Sequence, residues 1–255
     1  MSRDRKRGWF RVAEVLLIPP MLVLMKRRWH GRDHIPRTGG VIVVANHISK
    51  LDPITFGHFV HGAGRVPHYL AKAELFEHKV LGRIFRGTDM IPVYRGGENA
   101  GASVQAAEAA LQDGFCIVVY AEATITRDPN LWPMVGKSGA ARIALESGAP
   151  LIPVAQWGAH RILPPYSKRP SFLPRKTVHV RAGEPVHLAD LAGRELTPEV
   201  LAEATERIMA AITAELEVIR AEKAPAVRFD PRRAGVAEYG NPHAPDSSGE
   251  RAEER

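Results

Sequence analysis

A single cysteine, Cys116, occurs in 255 residues, which excludes an intramolecular disulfide framework and any cysteine-built metal cluster. It sits inside the apolar run GFCIVVY, so it reads as a buried structural thiol, and the compartment as reducing. No glycine-rich phosphate loop of the P-loop or dinucleotide type is present, and no internal repeat. No apolar stretch reaches the roughly 20 residues that a membrane-spanning helix needs. The nearest candidate, VAEVLLIPPMLVLM, is shorter, carries Glu14 and is interrupted by Pro19-Pro20. No small-residue cleavage site follows it and its far flank is basic, so it does not fit a secretory signal. The histidines show no strong metal-ligand spacing, and no metal site is expected.

Beyond residue 37 the chain also lacks net charge. The first 37 residues hold ten Lys/Arg against three acids, an excess of seven that equals the formal charge of the whole chain, +7. The basic excess therefore lies in an N-terminal arm, where RDRKRGWFR and KRRWHGR bracket the apolar run, with Trp9, Phe10 and Trp29 at its ends. Cations and aromatics flanking a short apolar segment describe an amphipathic helical segment lying in an anionic membrane surface. An ordinary core-docking helix pair with solvated charges is the other reading. A basic arm supplies only the nonspecific part of nucleic-acid binding, so no specific nucleic acid is expected. The division expected is a membrane-associating arm over 1–37, an α/β domain over 38–223 and a disordered tail over 224–255, rich in Pro, Gly and charge.

Between them, short apolar runs alternate with helix-like segments. VIVVA, PHYLAK, MIPVY, FCIVVY, PLIPVAQW and TVHVRAG read as strands. PITFGHFVHG, ELFEHKVLGRIFRG, ENAGASVQAAEAALQDG, GKSGAARIALESG and the long TPEVLAEATERIMAAITAELEVIRAE read as helices. The fold class is α/β, a mostly parallel central sheet flanked by helices.

The stretch VIVVANHISKLDP ends a buried strand on His47 and places Asp52 five positions later. Neither a helix nor a strand lets residues at that spacing touch, so they meet only if the chain bends between them. Asp52-Pro53 makes a good helix start, which supplies the bend. Spacing alone leaves two readings: a catalytic imidazole–carboxylate pair, or a helix cap beside a polar loop residue. Strand ends in covered α/β sheets are where ligands usually bind.

NHISKLD resembles the His-x-x-x-x-Asp motif of the glycerolipid acyltransferases, specifically the 1-acylglycerol-3-phosphate acyltransferase (PlsC-type) family. Further blocks follow in the family's order from Val41 to Val154: YLAKAELF, LGRIFRGTDMIPVYRGG, VVYAEATITRDP, GKSGAARIAL and APLIPVAQW. The resemblance implies that His47 is a general base steadied by Asp52. It implies acceptor and phosphate contacts from Lys72, Arg95, Thr124 and Arg127, with Glu122 holding an arginine or accepting from an acceptor hydroxyl; Lys137 is a fainter candidate, with ordinary surface the simpler reading. It also implies transfer of a fatty acyl group from acyl-CoA or acyl carrier protein to the free hydroxyl of lysophosphatidate, with no further cofactor. An enzyme of this kind is expected at the cytoplasmic face of the membrane, peripheral or monotopic. An alcohol is a poor nucleophile at neutral pH, and an imidazole with an ordinary pKa near 6.5 suits the task of removing its proton.

Several positions depart from the family pattern. Ala121-Glu122-Ala123 stands where Pro-Glu-Gly is common, the arginine follows Thr124 at a distance, and Asp89 stands where glycine is frequent. These changes keep open a weakened, lipid-binding relative or an acyltransferase for another lipid alcohol. A metal-dependent hydrolase using His47, Asp52 and His58, His61 or His68 is a further alternative. A Ser-His-Asp hydrolase through Ser49 is another, with a solvated turn serine as the simpler reading.

Overall fold

In the computed structural model, residues 8–93 and 100–240 are described. The apolar runs fall where the periodicity places them, as one seven-stranded sheet among the described residues. In chain order the strands are β1 (Met25–His30), β2 (Val41–Ala45), β3 (Pro67–Lys72), β4 (Ile91–Val93), β5 (Cys116–Tyr120), β6 (Leu151–Trp157) and β7 (Lys176–Ala182). Their order across the sheet is β1-β7-β6-β2-β5-β3-β4. All neighbours are parallel except β6 and β7, which run antiparallel. The helices are α1 (Gly8–Leu24), α2 (Asp52–Gly62), α3 (Glu74–Glu77), α4 (Leu81–Gly87), α5 (Ala100–Gln112), α6 (Gly139–Ser147) and α7 (Pro198–Arg220).

Alternate side chains of a strand face opposite sides of the sheet, and here both sides are covered, so β2 has no polar face to show. Val41, Val43 and Ala45 pack toward Phe56 and Phe59 of α2. Ile42 and Val44 pack toward Ala107 of α5, Ala141 of α6 and Ile208 of α7. β2 therefore lies at the centre, between β6 and β5, and its C-terminal end is rigidly placed.

Several expectations change. The arm is not separate from the domain: Met25–His30 forms the sheet edge beside β7, in register from Met25↔Lys176 to His30↔Arg181. Three exposed cations in a row (Lys26, Arg27, Arg28) hide this strand from a hydrophobicity reading. They also suit an edge, because charge there opposes pairing with another chain.

Helix α1 runs through Pro19-Pro20 rather than stopping there. The carbonyls that lose their usual donors are those of Val15 and Leu16, which lie on exposed residues. Nor is α1 divided into polar and apolar faces. Its outer side exposes Val15, Leu16 and Val23, while Glu14 turns inward and pairs with His61 at 3.0 Å.

The helix expected across ELFEHKVLGRIFRG is two, α3 and α4, folded back at His78–Val80. Gly82 permits this, since a Cβ there would lie 2.0 Å from the carbonyl oxygen of Phe76. Finally, residues 224–240 are not a disordered tail. The backbone N–H of Val135 donates to the carbonyl of Phe229 at 3.0 Å, and Pro231 is buried. Apolar and ion-pair contacts with the domain outweigh the Pro- and Gly-rich composition on which that expectation rested.

Candidate active site

β2 ends at Ala45, and side chains carry its ladder one residue further. Asn46 Nδ2 donates to the carbonyl of Gln156 at 3.1 Å, and Asn46 Oδ1 accepts from the Gln156 N–H at 2.8 Å. Gln156 Nε2 donates to the Asn46 carbonyl at 2.8 Å. The chain leaves the sheet at His47, whose backbone is held on both sides. Its N–H donates to Glu122 Oε1 at 3.1 Å and its carbonyl accepts from the Thr126 N–H at 2.8 Å.

Asp52 opens α2, yet its carboxylate does not cap that helix; Leu51 occupies the cap position, without a side-chain bond. The carboxylate reaches back over the turn instead. Its Oδ2 accepts from the N–H groups of Ile48 (2.6 Å) and Ser49 (2.8 Å) and faces His47 Nδ1 at 2.7 Å. Asp52 is fully buried, so these donors replace its water. Facing a carboxylate, Nδ1 carries the proton, and the lone pair is left on Nε2. The imidazole also stacks on Tyr120, ring centroids 4.1 Å apart and planes 16° from parallel. Behind it, Tyr69 donates to the Pro53 carbonyl at 2.7 Å. Burial pushes both phenols well above their usual pKa, so they remain neutral.

Ser49 is buried, not solvated. Its hydroxyl donates to the Leu163 carbonyl at 2.7 Å, which commits its proton away from His47.

Among the described residues no arginine pairs with Glu122. Its two oxygens accept from the N–H groups of His47 and Met134, each at 3.1 Å, tying the turn after β5 to the turn after β2. Burial raises its pKa from the ordinary 4.5 to about 8, against the lowering effect of those hydrogen bonds. The next residue, Ala123, has φ 57°, and Asp89 has φ 52°. Both positions where glycine was expected therefore adopt the left-handed conformation that glycine accepts without strain.

His47 opens onto a cavity of about 750 Å³. Lys50, Lys72 and Lys137 line it, as do Thr124 and Tyr166. Its apolar wall includes Leu17, Ile18 and Met21 of α1, facing Ile54 of α2 and Leu70 of β3. Lys137 reaches the cavity but pairs with Glu238, and its ammonium lies 5.5 Å from the Tyr239 ring centroid. Arg127 is not brought to the cavity lining. It is buried beneath, donating to Tyr166 and, at 2.7 Å, to the Gly240 carbonyl. Arg95 lies outside the described residues. Lys50, Tyr120 and Tyr166 were missed by sequence reasoning. Lys50 sits inside NHISKLD, its signal masked by the habit of reading a loop lysine as solvated.

The remaining histidines disperse. His58 meets Trp29 edge-on at 4.7 Å, His61 pairs with Glu14, and His68 stacks on Phe115 at 4.2 Å. Among the described residues no three His, Cys, Asp or Glu side chains gather as a metal site. No described helix is long and apolar enough to cross a membrane.

The Acyltransferase family model matches residues 26–157, from β1 through the end of β6. A 1-acyl-sn-glycerol-3-phosphate acyltransferase of Bacillus subtilis is 32% identical over 167 residues, covering 64% of this chain and 75% of its own length. A protein of the same description from Limnanthes douglasii is 27% identical over 134 residues, 51% of this chain and 44% of that protein. The fold is similar to the crystal structure of the 1-acyl-sn-glycerophosphate acyltransferase PlsC of Thermotoga maritima. There the TM-score is 0.61 at 22% identity, over 88% of this chain and 86% of that one.

Proposed function

The chain belongs to the Acyltransferase family, and from that premise we propose that it transfers a fatty acyl group from a thioester to the free hydroxyl of lysophosphatidate. It is a 1-acylglycerol-3-phosphate O-acyltransferase of phospholipid biosynthesis. The observation that carries the chemistry is the 2.7 Å contact between Asp52 Oδ2 and Nδ1 of His47, whose ring lines the cavity.

In the reaction as proposed, His47 Nε2 removes the proton of the acceptor hydroxyl as that oxygen attacks the thioester carbonyl. A C–O bond forms, the C–S bond breaks, and the thiol leaves with the proton that the imidazolium returns. Asp52, its Oδ2 held by three donors, fixes the tautomer and stabilises the imidazolium. The acceptor alcohol is itself the nucleophile, so no enzyme serine or cysteine attacks.

Lys72 and Lys50 line the cavity and are the proposed contacts of the phosphate monoester, with Arg95 as a further candidate. Thr124 contributes a hydroxyl at the same wall. Glu122 acts as a positioning residue by holding the backbone of His47. Arg127 supports Tyr166 and the segment ending at Gly240 and does not grip phosphate in this reading. The donor is acyl-CoA or acyl carrier protein, and no metal or prosthetic group takes part. The apolar wall built by α1 suits an acyl chain, and its exposed outer side suits a bilayer surface. In this reading the enzyme is a peripheral protein, and the cytoplasmic face is its proposed location.

The test offers purified protein labelled acyl-CoA with a panel of lysolipids, beside His47→Ala. Phosphatidate is expected from lysophosphatidate. Loss of a positioned base lowers the rate by about 10²–10⁴. Near parental transfer by His47→Ala refutes the mechanism, and product only from lysolipids lacking a phosphate monoester refutes the acceptor.

A further inference from the structure

Between the turn at Ala159–Arg161 and β7 the chain runs SKRPSFLPRK, residues 167–176, a stretch that the catalytic site does not use. Leu173 is 79% exposed, and Phe172 beside it is exposed as well. Lys168, Arg169 and Arg175 flank the pair and are themselves exposed. A lone exposed leucine needs no explanation, but this pair is not isolated.

Arg175 donates to the carbonyls of Leu22 (2.8 Å) and Met25 (3.0 Å), which binds the loop to the C-terminal end of α1. The parallel register brings Lys176 beside Met25, so Leu173 lies three residues from the α1–β1 junction. There α1 exposes Val23 at 68%, and further along it exposes Leu16 at 65% and Val15 at 71%. The same junction leads into the exposed cations Lys26, Arg27 and Arg28 of β1.

We propose that loop 167–176 is a second membrane-contact element beside α1. Phe172 and Leu173 enter the acyl boundary, and Lys168, Arg169 and Arg175 meet anionic phospholipid headgroups. The proposal rests on the membrane placement given above and extends it to a segment far away in sequence. A bilayer is the occupant because an apolar tip ringed by cations and continuous with an apolar helix matches lipid on both counts: hydrocarbon for the tip, negative charge for the ring. A protein partner would leave these cations in need of specific acidic partners. A lipid surface supplies diffuse negative charge at any register. Two contact elements also explain how one short helix, with its inner face committed to the cavity, can hold the cavity mouth at the bilayer. An acceptor with an acyl chain could then enter without crossing water.

The test measures partition of the full chain to phosphatidylcholine vesicles with and without phosphatidylglycerol, in low salt. It compares the parent, Leu173→Asp, Lys168→Glu with Arg169→Glu, and Leu16→Asp on α1. Leu173→Asp is expected to lower partition to both vesicle types by about tenfold, the effect of placing a charge where an apolar side chain inserts. The charge-reversed pair is expected to lose binding only where phosphatidylglycerol is present, and more in low salt than in high. Transfer to a micelle-dispersed lysolipid should stay at the parental rate for Leu173→Asp. Parental binding by Leu173→Asp while Leu16→Asp is released overturns the loop and leaves the α1 reading standing. Failure of the parent to bind either vesicle overturns both. A shift in molecular mass by light scattering on Leu173→Asp, without vesicles and with partition unchanged, assigns the patch to contact between copies and also overturns the proposal.

Discussion

At the scale of single residues, Glu122 is a carboxyl group taken fully out of water. It is buried, its pKa is raised to about 8, and it bonds to two backbone N–H groups that belong to different turns. Between its ordinary 4.5 and about 8, the folded chain holds a proton that the unfolded chain has released. Where the folded state binds more protons, stability falls as pH rises, by at most about 1.4 kcal/mol per pH unit for one group. Stability from this residue is therefore fully present below the lower value and lost through the window, and it levels off above the upper one. Glu122→Gln does not titrate and should lack that slope, although its amide turns a donor toward one of two backbone donors and lowers stability at all pH. Urea midpoints of both proteins from about pH 5 to about pH 8 check this; parallel curves would count against a buried neutral acid. The sequence reading assigned Glu122 to an arginine or an acceptor hydroxyl. Its actual partners are backbone groups, which no residue pattern displays.

At the scale of elements, the turn after β5 shows how a departure from a pattern can be absorbed. Ala123 keeps φ 57°, the conformation in which glycine is unstrained, so the alanine has not redirected the chain. Its methyl costs about 1–2 kcal/mol in that region, offset by roughly 0.5–1 kcal/mol of chain entropy that glycine would lose on folding. Ala123→Gly should therefore raise stability by about 0.5–1 kcal/mol, seen as a higher denaturation midpoint with acyl transfer retained. A fall in stability would mean that the left-handed turn is not populated. A rise from near-zero activity to substantial transfer would favour a weakened relative. The bend from β2 to α2 was legible for a related reason. His47 and Asp52 cannot meet on any regular element, so their pairing required a turn, and Asp-Pro offered one. That the carboxylate faces the imidazole was expected; that it also accepts from the N–H groups of Ile48 and Ser49 was not legible. It caps the turn before the helix rather than the helix itself, because three donors converge on it from that side.

At the scale of the whole molecule, the N-terminal region does two jobs that composition merged into one arm. α1 walls the cavity, whereas β1 and the turn after it belong to the sheet and core, with Met25 and Ile35 each 1% exposed. A chain starting at Met25 should keep the fold, bind vesicles more weakly and lose the cavity wall. A chain starting at Thr38 also loses an edge strand and these two buried side chains. Deleting one such side chain alone costs about 2–5 kcal/mol, so severe destabilisation is expected. Thermal unfolding and vesicle partition of both truncations check the division; equal stability would refute it. The segment at 224–240 makes the complementary point. Its charges read as solvated, yet Glu238 pairs with Lys137 and the Gly240 carbonyl receives Arg127, both from the region of the active site.

The chain's own pattern was enough for the alternation of strands and helices, the buried strand that ends at His47 and the bend that His47 and Asp52 need in order to meet. Each of these is a local pattern: hydrophobic period, turn chemistry, fixed spacing. The tertiary structure alone decided that three cations in a row form a sheet edge, and that Arg127 serves a tyrosine while Lys50 faces the cavity. It also decided that Glu122 braces the backbone of His47 and that Arg175 ties the loop near residue 173 to the end of α1. Those assignments depend on which groups become neighbours once the sheet is assembled, and on how much water each then keeps. Neither is encoded in any short stretch of chain.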